Sequence, residues 1–295
     1  MKSEKRKGYI AGLLSAATFG LIPLFTVPLM RYGMATETIL IYRFAFATLM
    51  VAVVMIVKGI SFREGWKHLR VLLALSTLYF CSAFFLINGY HVMPSGVATV
   101  IHFMYPLMVA LLMFLFFKQK MTPRALVSLV VAFAGVVLLS GVLATDGILV
   151  RLIDMGWVAF SGFCYAVYII VVNKSTVGQI PKWRLTFYLM LFCTVFFILL
   201  AIAENSLVLP PDTSSWGLLF LLGLVPTVIS NLFLVLAIPR IGSTATSIMG
   251  VLEPLTAVVV GVLVLGERLT LSNAVGMVAI LAAVALLVSE KGEKV

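Results

Sequence analysis

The stretch GSTATSIMGVLEPLTAVVVGVLVLGERLT, from Gly242 to Thr270, decides how this chain folds. Between Gly242 and Leu265 it holds one charged residue, Glu253. As an α-helix that segment rises about 36 Å at 1.5 Å per residue. The hydrocarbon core of a bilayer is about 30 Å thick and needs roughly 20 helical residues. Gly266, Glu267 and Arg268 then end the run with a turn-forming glycine and two charges. The segment reads as a membrane-spanning helix that carries a single acidic group near its middle.

Working outward, nine more segments meet the same test: Tyr9–Met30, Thr36–Val57, His68–Val92, Ser95–Phe117, Pro123–Val142, Asp154–Asn173, Lys182–Ala203, Ser214–Ala237 and Leu271–Ser289. Strands of a β-barrel are about ten residues long with alternating polarity, so these runs exclude one. Helices are the open form that satisfies its own backbone in lipid. Lys2, Lys5, Arg6 and Lys7 precede the first run as in a secretory leader, but Tyr9–Met30 is too long for a cleaved signal core and reads as the first span.

Composition agrees. Of 295 residues 62% are hydrophobic and only 11% charged, against about 25% charged in soluble domains. The mean hydropathy is +1.17. The net charge of +10 would suggest nucleic acid in a soluble protein. Here the cations cluster in alternate connections. With the N-terminus inside, seventeen of the 21 Lys and Arg residues fall on the inner side, and only Arg31, Arg151 and Arg268 fall outside. That bias is the positive-inside signal; it supports ten spans with both termini cytoplasmic and removes nucleic acid as a partner. Cys81, Cys164 and Cys193 are far apart within apolar runs and read as packing residues. The sequence shows no metal-ligand spacing and no G-x-x-x-x-G-K-[ST] phosphate loop, so no metal, cofactor or ATP site is expected.

A shift of 148 positions lays one half on the other. It puts Pro106-Leu107 on Pro254-Leu255, Ser82 on Ser230, Phe85 on Phe233, Ser95 on Ser243 and Thr122 on Thr270. The expected domains are therefore 1–145 and 146–295, each of five helices. An odd number per repeat makes the second enter the membrane inverted. The fold class is an all-α polytopic membrane protein of ten transmembrane helices in two inverted five-helix repeats, an architecture that places substrates between the repeats near the midplane.

Ile241-Gly242-Ser243, Val251-Leu252-Glu253-Pro254-Leu255 and Leu265-Gly266-Glu267-Arg268-Leu269-Thr270 resemble the ninth-to-tenth helix signature of EamA-type transporters of the drug/metabolite transporter superfamily. Tyr105-Pro106-Leu107 is the first-half counterpart, and Tyr42-Arg43-Phe44 is similar to the second helix of that family, which commonly has arginine there. The first half departs from the pattern: it has no Glu beside Pro106, and Lys118-Gln119-Lys120 stands in place of Gly-Glu. The resemblance implies a bacterial inner (plasma) membrane and transport of amino acids, sugars or other metabolites, with export as the expected direction.

Glu253 is the first candidate for the mechanism. A carboxylate at the midplane costs several kcal/mol unless paired, protonated or wetted, so it reads as a proton-coupling or substrate-ammonium site, with a structural hydrogen bond as the bland alternative. Arg43 lies about seven residues into the second helix; it reads as a clamp on a substrate carboxylate, an anchor that snorkels outward, or a partner of Glu37 or Glu204. Pro106 and Pro254 read as paired kinks, hence hinges, around a cavity; Pro23, Pro28 and Pro226 bend their own helices. His102, Tyr105, Tyr79, Asn88, Ser230 and Asn231 are polar groups that either line that cavity or hydrogen-bond between helices. Tyr165 and Tyr168 are weaker aromatic cases. Gly12, Ala16 and Gly20 form a stripe for close helix approach.

These residues point to a secondary transporter that moves an amino acid-like or other amphipathic metabolite by alternating access, coupled to protons. An uncoupled facilitator or importer of metabolites or sugars competes with it. An intramembrane lipid-acting enzyme lacks its constellation, since His91 and His102 flank Pro94 and Ser95 without an H-E-x-x-H motif, so the chain is not read as an enzyme. The expected partners are a small-molecule substrate, the lipid bilayer and protons, and monomer and homodimer both stay open.

Overall fold

The computed structural model describes residues 2–118, 122–140, 148–175 and 180–290. All regular structure among them is helical. In chain order the helices are α1 (Lys2–Phe19), α2 (Ile22–Arg31), α3 (Thr36–Val57), α4 (Trp66–Val92), α5 (Ser95–His102), α6 (Tyr105–Phe117) and α7 (Pro123–Ser140). After these come α8 (Ile148–Lys174), α9 (Lys182–Ala203), α10 (Thr213–Gly223), a π-helical turn (Leu224–Ile229), α11 (Ser230–Met249), α12 (Leu252–Leu263) and α13 (Leu271–Glu290). Among the described residues seven helical segments are long and apolar enough to cross a membrane, and three shorter apolar ones cover Pro123–Gly135, Leu252–Leu263 and Leu271–Leu286. Large apolar side chains stay on the outside, with Leu271 at 82% and Val57 at 81% exposure. An outer shell of that kind suits lipid and not water.

Three of the expected helices are broken. Tyr9–Met30 divides at Gly20-Leu21, Ser95–Phe117 at Phe103-Met104, and Gly242–Leu265 at Gly250-Val251. Proline explains the positions. Pro23, Pro106 and Pro254 were expected to kink continuous helices; instead each stands in the first turn of the helix after a break. There the missing N–H has no partner to lose and the fixed φ suits the helix. The junction expected between Ala237 and Gly242 is a bend and not a gap, because α11 keeps helical hydrogen bonding through it. A Cβ on Gly12 would meet Met249 Sδ at 2.7 Å, Ile241 at 3.6 Å and Ala237 Cβ at 3.8 Å. A straight helix would hold Ala237 and Met249 about 18 Å apart, so α11 is bent between them.

Helix pairing follows the 148-residue shift. α3 packs on α9, which is its equivalent, and α7 packs on α13 in the same way. The first helix of each half crosses to the other half: α1 lies on α11 and α12, while α8 lies on α4, α5 and α6. Small residues make the crossing possible. Ser15 and Ser230 exchange hydrogen bonds, each hydroxyl donating to the other's carbonyl at 2.9 and 3.0 Å. Gly8 sits against Arg240 and Ile241, and Gly20 against the carbonyl of Glu253 and Thr256. The stripe of Gly12, Ala16 and Gly20 thus serves packing within the chain.

Candidate functional site

The helix breaks meet in the middle of the bundle, and the polar groups gather around them. Glu253 is the second residue of α12, just after the Gly250-Val251 break, with its carbonyl packed on Gly20 at the α1–α2 break. The 148-residue shift pairs it with Tyr105, the first residue of α6, just after the Phe103-Met104 break. Tyr105 stacks edge-on against Tyr165 at 4.7 Å between ring centroids. Tyr165 continues to Tyr168 at 5.7 Å and Tyr79 at 6.2 Å, and Tyr79 to Tyr168 at 5.5 Å. No hydrogen bond or ion pair ties down the Glu253 carboxylate among the described residues.

Arg43 projects from α3 and is 3% exposed. Its Nε donates to Thr227 Oγ1 at 3.2 Å, and the Thr227 hydroxyl donates in turn to the Leu222 carbonyl at 3.2 Å. Thr227 follows Pro226 within the π-helical turn. Proline removes one donor from the helical ladder, the local register widens, and the threonine is presented to α3. The same segment packs tightly on α3, since a Cβ on Gly223 would stand 3.1 Å from the Arg43 carbonyl. Glu37 and Glu204, the partners considered from sequence, do not bond Arg43; Glu204 is exposed at the end of α9 and Glu37 is buried at the start of α3. The guanidinium lies over the Phe44 ring, 5.4 Å from its centroid, and its terminal nitrogens have no hydrogen-bond or ion-pair partner among the described residues. No ion pair joins Arg43 to Glu253 among the described residues.

The other candidates divide. His102 reaches the aromatic group, 5.6 Å from Tyr165 and 6.1 Å from Tyr105 between ring centroids. Its Nδ1 is 2.8 Å from Ser161 Oγ, whose own hydrogen goes to the Val158 carbonyl at 2.6 Å. Nδ1 must therefore carry the proton and donate. Asn88 lies apart from the cluster, where it accepts from Thr36 Oγ1 at 3.1 Å and links α4 to α3. Ser230 belongs to the α1–α11 crossing. Asn231 donates to the Thr227 carbonyl at 2.5 Å and faces a small cavity lined by Ala47, Lys182, Trp183 and Thr227. Sequence reasoning missed Thr227 and Tyr90. Pro226 was the available signal for the first, as a helix breaker inside an apolar run; nothing local distinguishes Tyr90.

A larger cavity of about 390 Å³ opens where α2, α4 and α12 end, lined by residues that include Arg31, Tyr90, His91, Glu267 and Arg268. Glu267 reaches across to α5, accepting from the Ser95 N–H at 2.8 Å and the Gly96 N–H at 3.5 Å. Arg31 donates to the Leu265 carbonyl at 2.8 Å.

Comparison with known proteins places this architecture. A solved structure described as "Crystal structure of protein" superposes with a TM-score of 0.70 over 99% of this chain and 100% of its own, at 14% identity, and so shares the fold. No curated protein matches the sequence. The model of the EamA-like transporter family matches residues 6–141 and again residues 153–289. The chain is an integral membrane transporter, and it belongs to the EamA-like transporter family.

Proposed function

We propose that the chain is a secondary transporter that exports a small amphipathic metabolite bearing both a carboxylate and an ammonium group. All ten apolar segments cross the bilayer, in two inverted repeats over 1–145 and 146–295, with both termini in the cytoplasm of a bacterial cell. The observation that carries this reading is the pairing of Arg43 and Glu253. Both are charged side chains within an apolar bundle, Glu253 beside the α11–α12 break and Arg43 bonded to the π-helical turn before α11, and neither is spent on the other. Arg43 offers its terminal nitrogens to a carboxylate, and Glu253 offers an acceptor to an ammonium group. Tyr79, Tyr105, Tyr165 and Tyr168 supply apolar faces and hydroxyls for the rest of the solute. A proton on Glu253 would relieve the cost of an unpaired charge in lipid, so proton and substrate compete for one group, which is the logic of antiport.

The test is a protection screen. Sensitive cells expressing the chain are exposed to toxic amino-acid, nucleoside and sugar analogues, beside cells expressing Glu253→Gln. Protection against the amino-acid analogues, lost in the variant, is the expected result. Protection that survives Glu253→Gln would make Glu253 structural, and sensitisation by the wild type would reverse the direction to import.

A further inference from the structure

The cavity at the ends of α2, α4 and α12 has a charge pattern that the central site does not explain. Three arginines are assigned to the outer connections, and two of them, Arg31 and Arg268, line this one cavity together with His91. Cations on that side run against the bias of the rest of the chain. Its acid, Glu267, also lines the cavity, but both carboxylate oxygens are engaged by backbone amides at the start of α5. Arg31 spends one nitrogen on the Leu265 carbonyl; Arg268 has no such tie. Tyr90 belongs to both places: it lines the cavity, its hydroxyl lies 3.1 Å from Thr99 Oγ1, and the charges of Arg43 and Glu253 reach it.

We infer that this cavity is a vestibular binding site for a carboxylate-bearing solute, held by Arg268 and Arg31 over Tyr90 as the floor that separates it from the Arg43–Glu253 centre. The inference rests on the transporter reading for its place on a path, though the site itself does not need transport to be detected. A solute leaving the centre gives its carboxylate from Arg43 to the two outer arginines and passes one aromatic ring. The two cations also shape what is admitted, because an electropositive mouth raises the local concentration of anions and lowers that of cations.

The experiment reads the potential inside the cavity. Met93, which lines it, is changed to Cys in the full-length chain with Cys81, Cys164 and Cys193 replaced by alanine. Labelling rates are compared for an anionic and a cationic methanethiosulfonate, each normalised to a free thiol in solution. A unit charge about 7 Å away in water is worth roughly RT, or about threefold in a rate. The anionic reagent should win by about threefold or more, and Arg268→Gln should remove about threefold of that preference. Phenylacetate should then slow the labelling at millimolar concentration, while phenethylammonium, of the same shape, should not. A preference for the cationic reagent, an anionic preference that Arg268→Gln leaves unchanged, or equal protection by both solutes would overturn the site. Met30→Cys, on another wall of the cavity, repeats the measurement if Met93→Cys does not fold. Labelling proceeds whether or not solute is carried, so a failed protection screen leaves this result readable on its own.

Discussion

Two of the three broken helices occupy equivalent places and are finished with different chemistry. At the α5–α6 break the residues are His102 and Tyr105, both neutral hydrogen-bonding rings packed among other aromatics. At the α11–α12 break the same positions are Gly250 and Glu253, a gap and a carboxylate. The backbone plan is shared, as are the prolines that start α6 and α12. The symmetry therefore supplies a shared backbone plan, and the asymmetry places a carboxylate at one break and a phenol at the other.

Three measurements press on that comparison. The largest effect belongs to the glycines that let a crossing helix touch each break. A Cβ on Gly20 would collide with the Glu253 carbonyl, and one on Gly162 would stand 2.7 Å from the His102 carbonyl. Backbone cannot swing aside as a side chain does, so Gly20→Ala and Gly162→Ala should each destabilise by about 2 kcal/mol. Thermal unfolding in detergent measures it, and transport should fall further for Gly20→Ala. Equal losses of transport would mean that the Glu253 break is no more functional than its counterpart.

A smaller effect isolates the histidine side. Ser161→Ala leaves the His102 Nδ1–H buried without an acceptor, a cost of about 1–2 kcal/mol. Stability should drop while the pH profile of transport stays where it is. A displaced pH profile would bring His102 into the coupling and erase the contrast with Glu253.

The smallest effect tests where the halves agree. Glu64 and Asp212 are equivalent residues just before α4 and α10. Partial burial works against ionisation of Glu64, but hydrogen bonds from His68, the Gly65 N–H and Arg184, with the charge of Arg184, hold its carboxyl below the ordinary value of 4.5. Hydrogen bonds from the Ser215 hydroxyl and N–H hold Asp212 below 3.8. A depressed folded value stabilises the folded state above the unfolded value and loses that contribution as pH falls through the folded one. Protection against hydrogen exchange at the starts of α4 and α10 should therefore be high at neutral pH, and exchange relative to the intrinsic amide rate should accelerate below about pH 4. Acceleration at one helix alone would show that the caps are not equivalent.

Much of this was legible before any coordinates. Apolar run length and the placement of Lys and Arg identify a polytopic helical protein, and the Tyr105-Pro106-Leu107 to Glu253-Pro254-Leu255 register exposes the repeat. Glu253 and Arg43 stand out because charge in lipid is expensive. What stayed hidden depends on which helices touch. The tie from Arg43 to Thr227 joins residues from different halves through a π-helical turn, and no local pattern encodes it. Asn88 looks as suitable as Tyr105 in sequence, yet it bonds Thr36 at the end of α3. The prolines signalled distortion correctly, but they start helices where kinks were expected, because a first turn tolerates a missing N–H and a helix interior does not.

The crossing of α1 onto α11 and α12 also bears on how the chain is made. Ribosomes release α1 first and its partners nearly last, so the first helix waits in the bilayer with Gly12 and Gly20 uncovered until more than two hundred residues have followed it. Neither half can bury its own leading helix. A chain stopped after the first half would leave a surface that only the missing half completes, which makes the assembled protein an all-or-nothing product of synthesis and gives quality-control proteases a long interval in which to act.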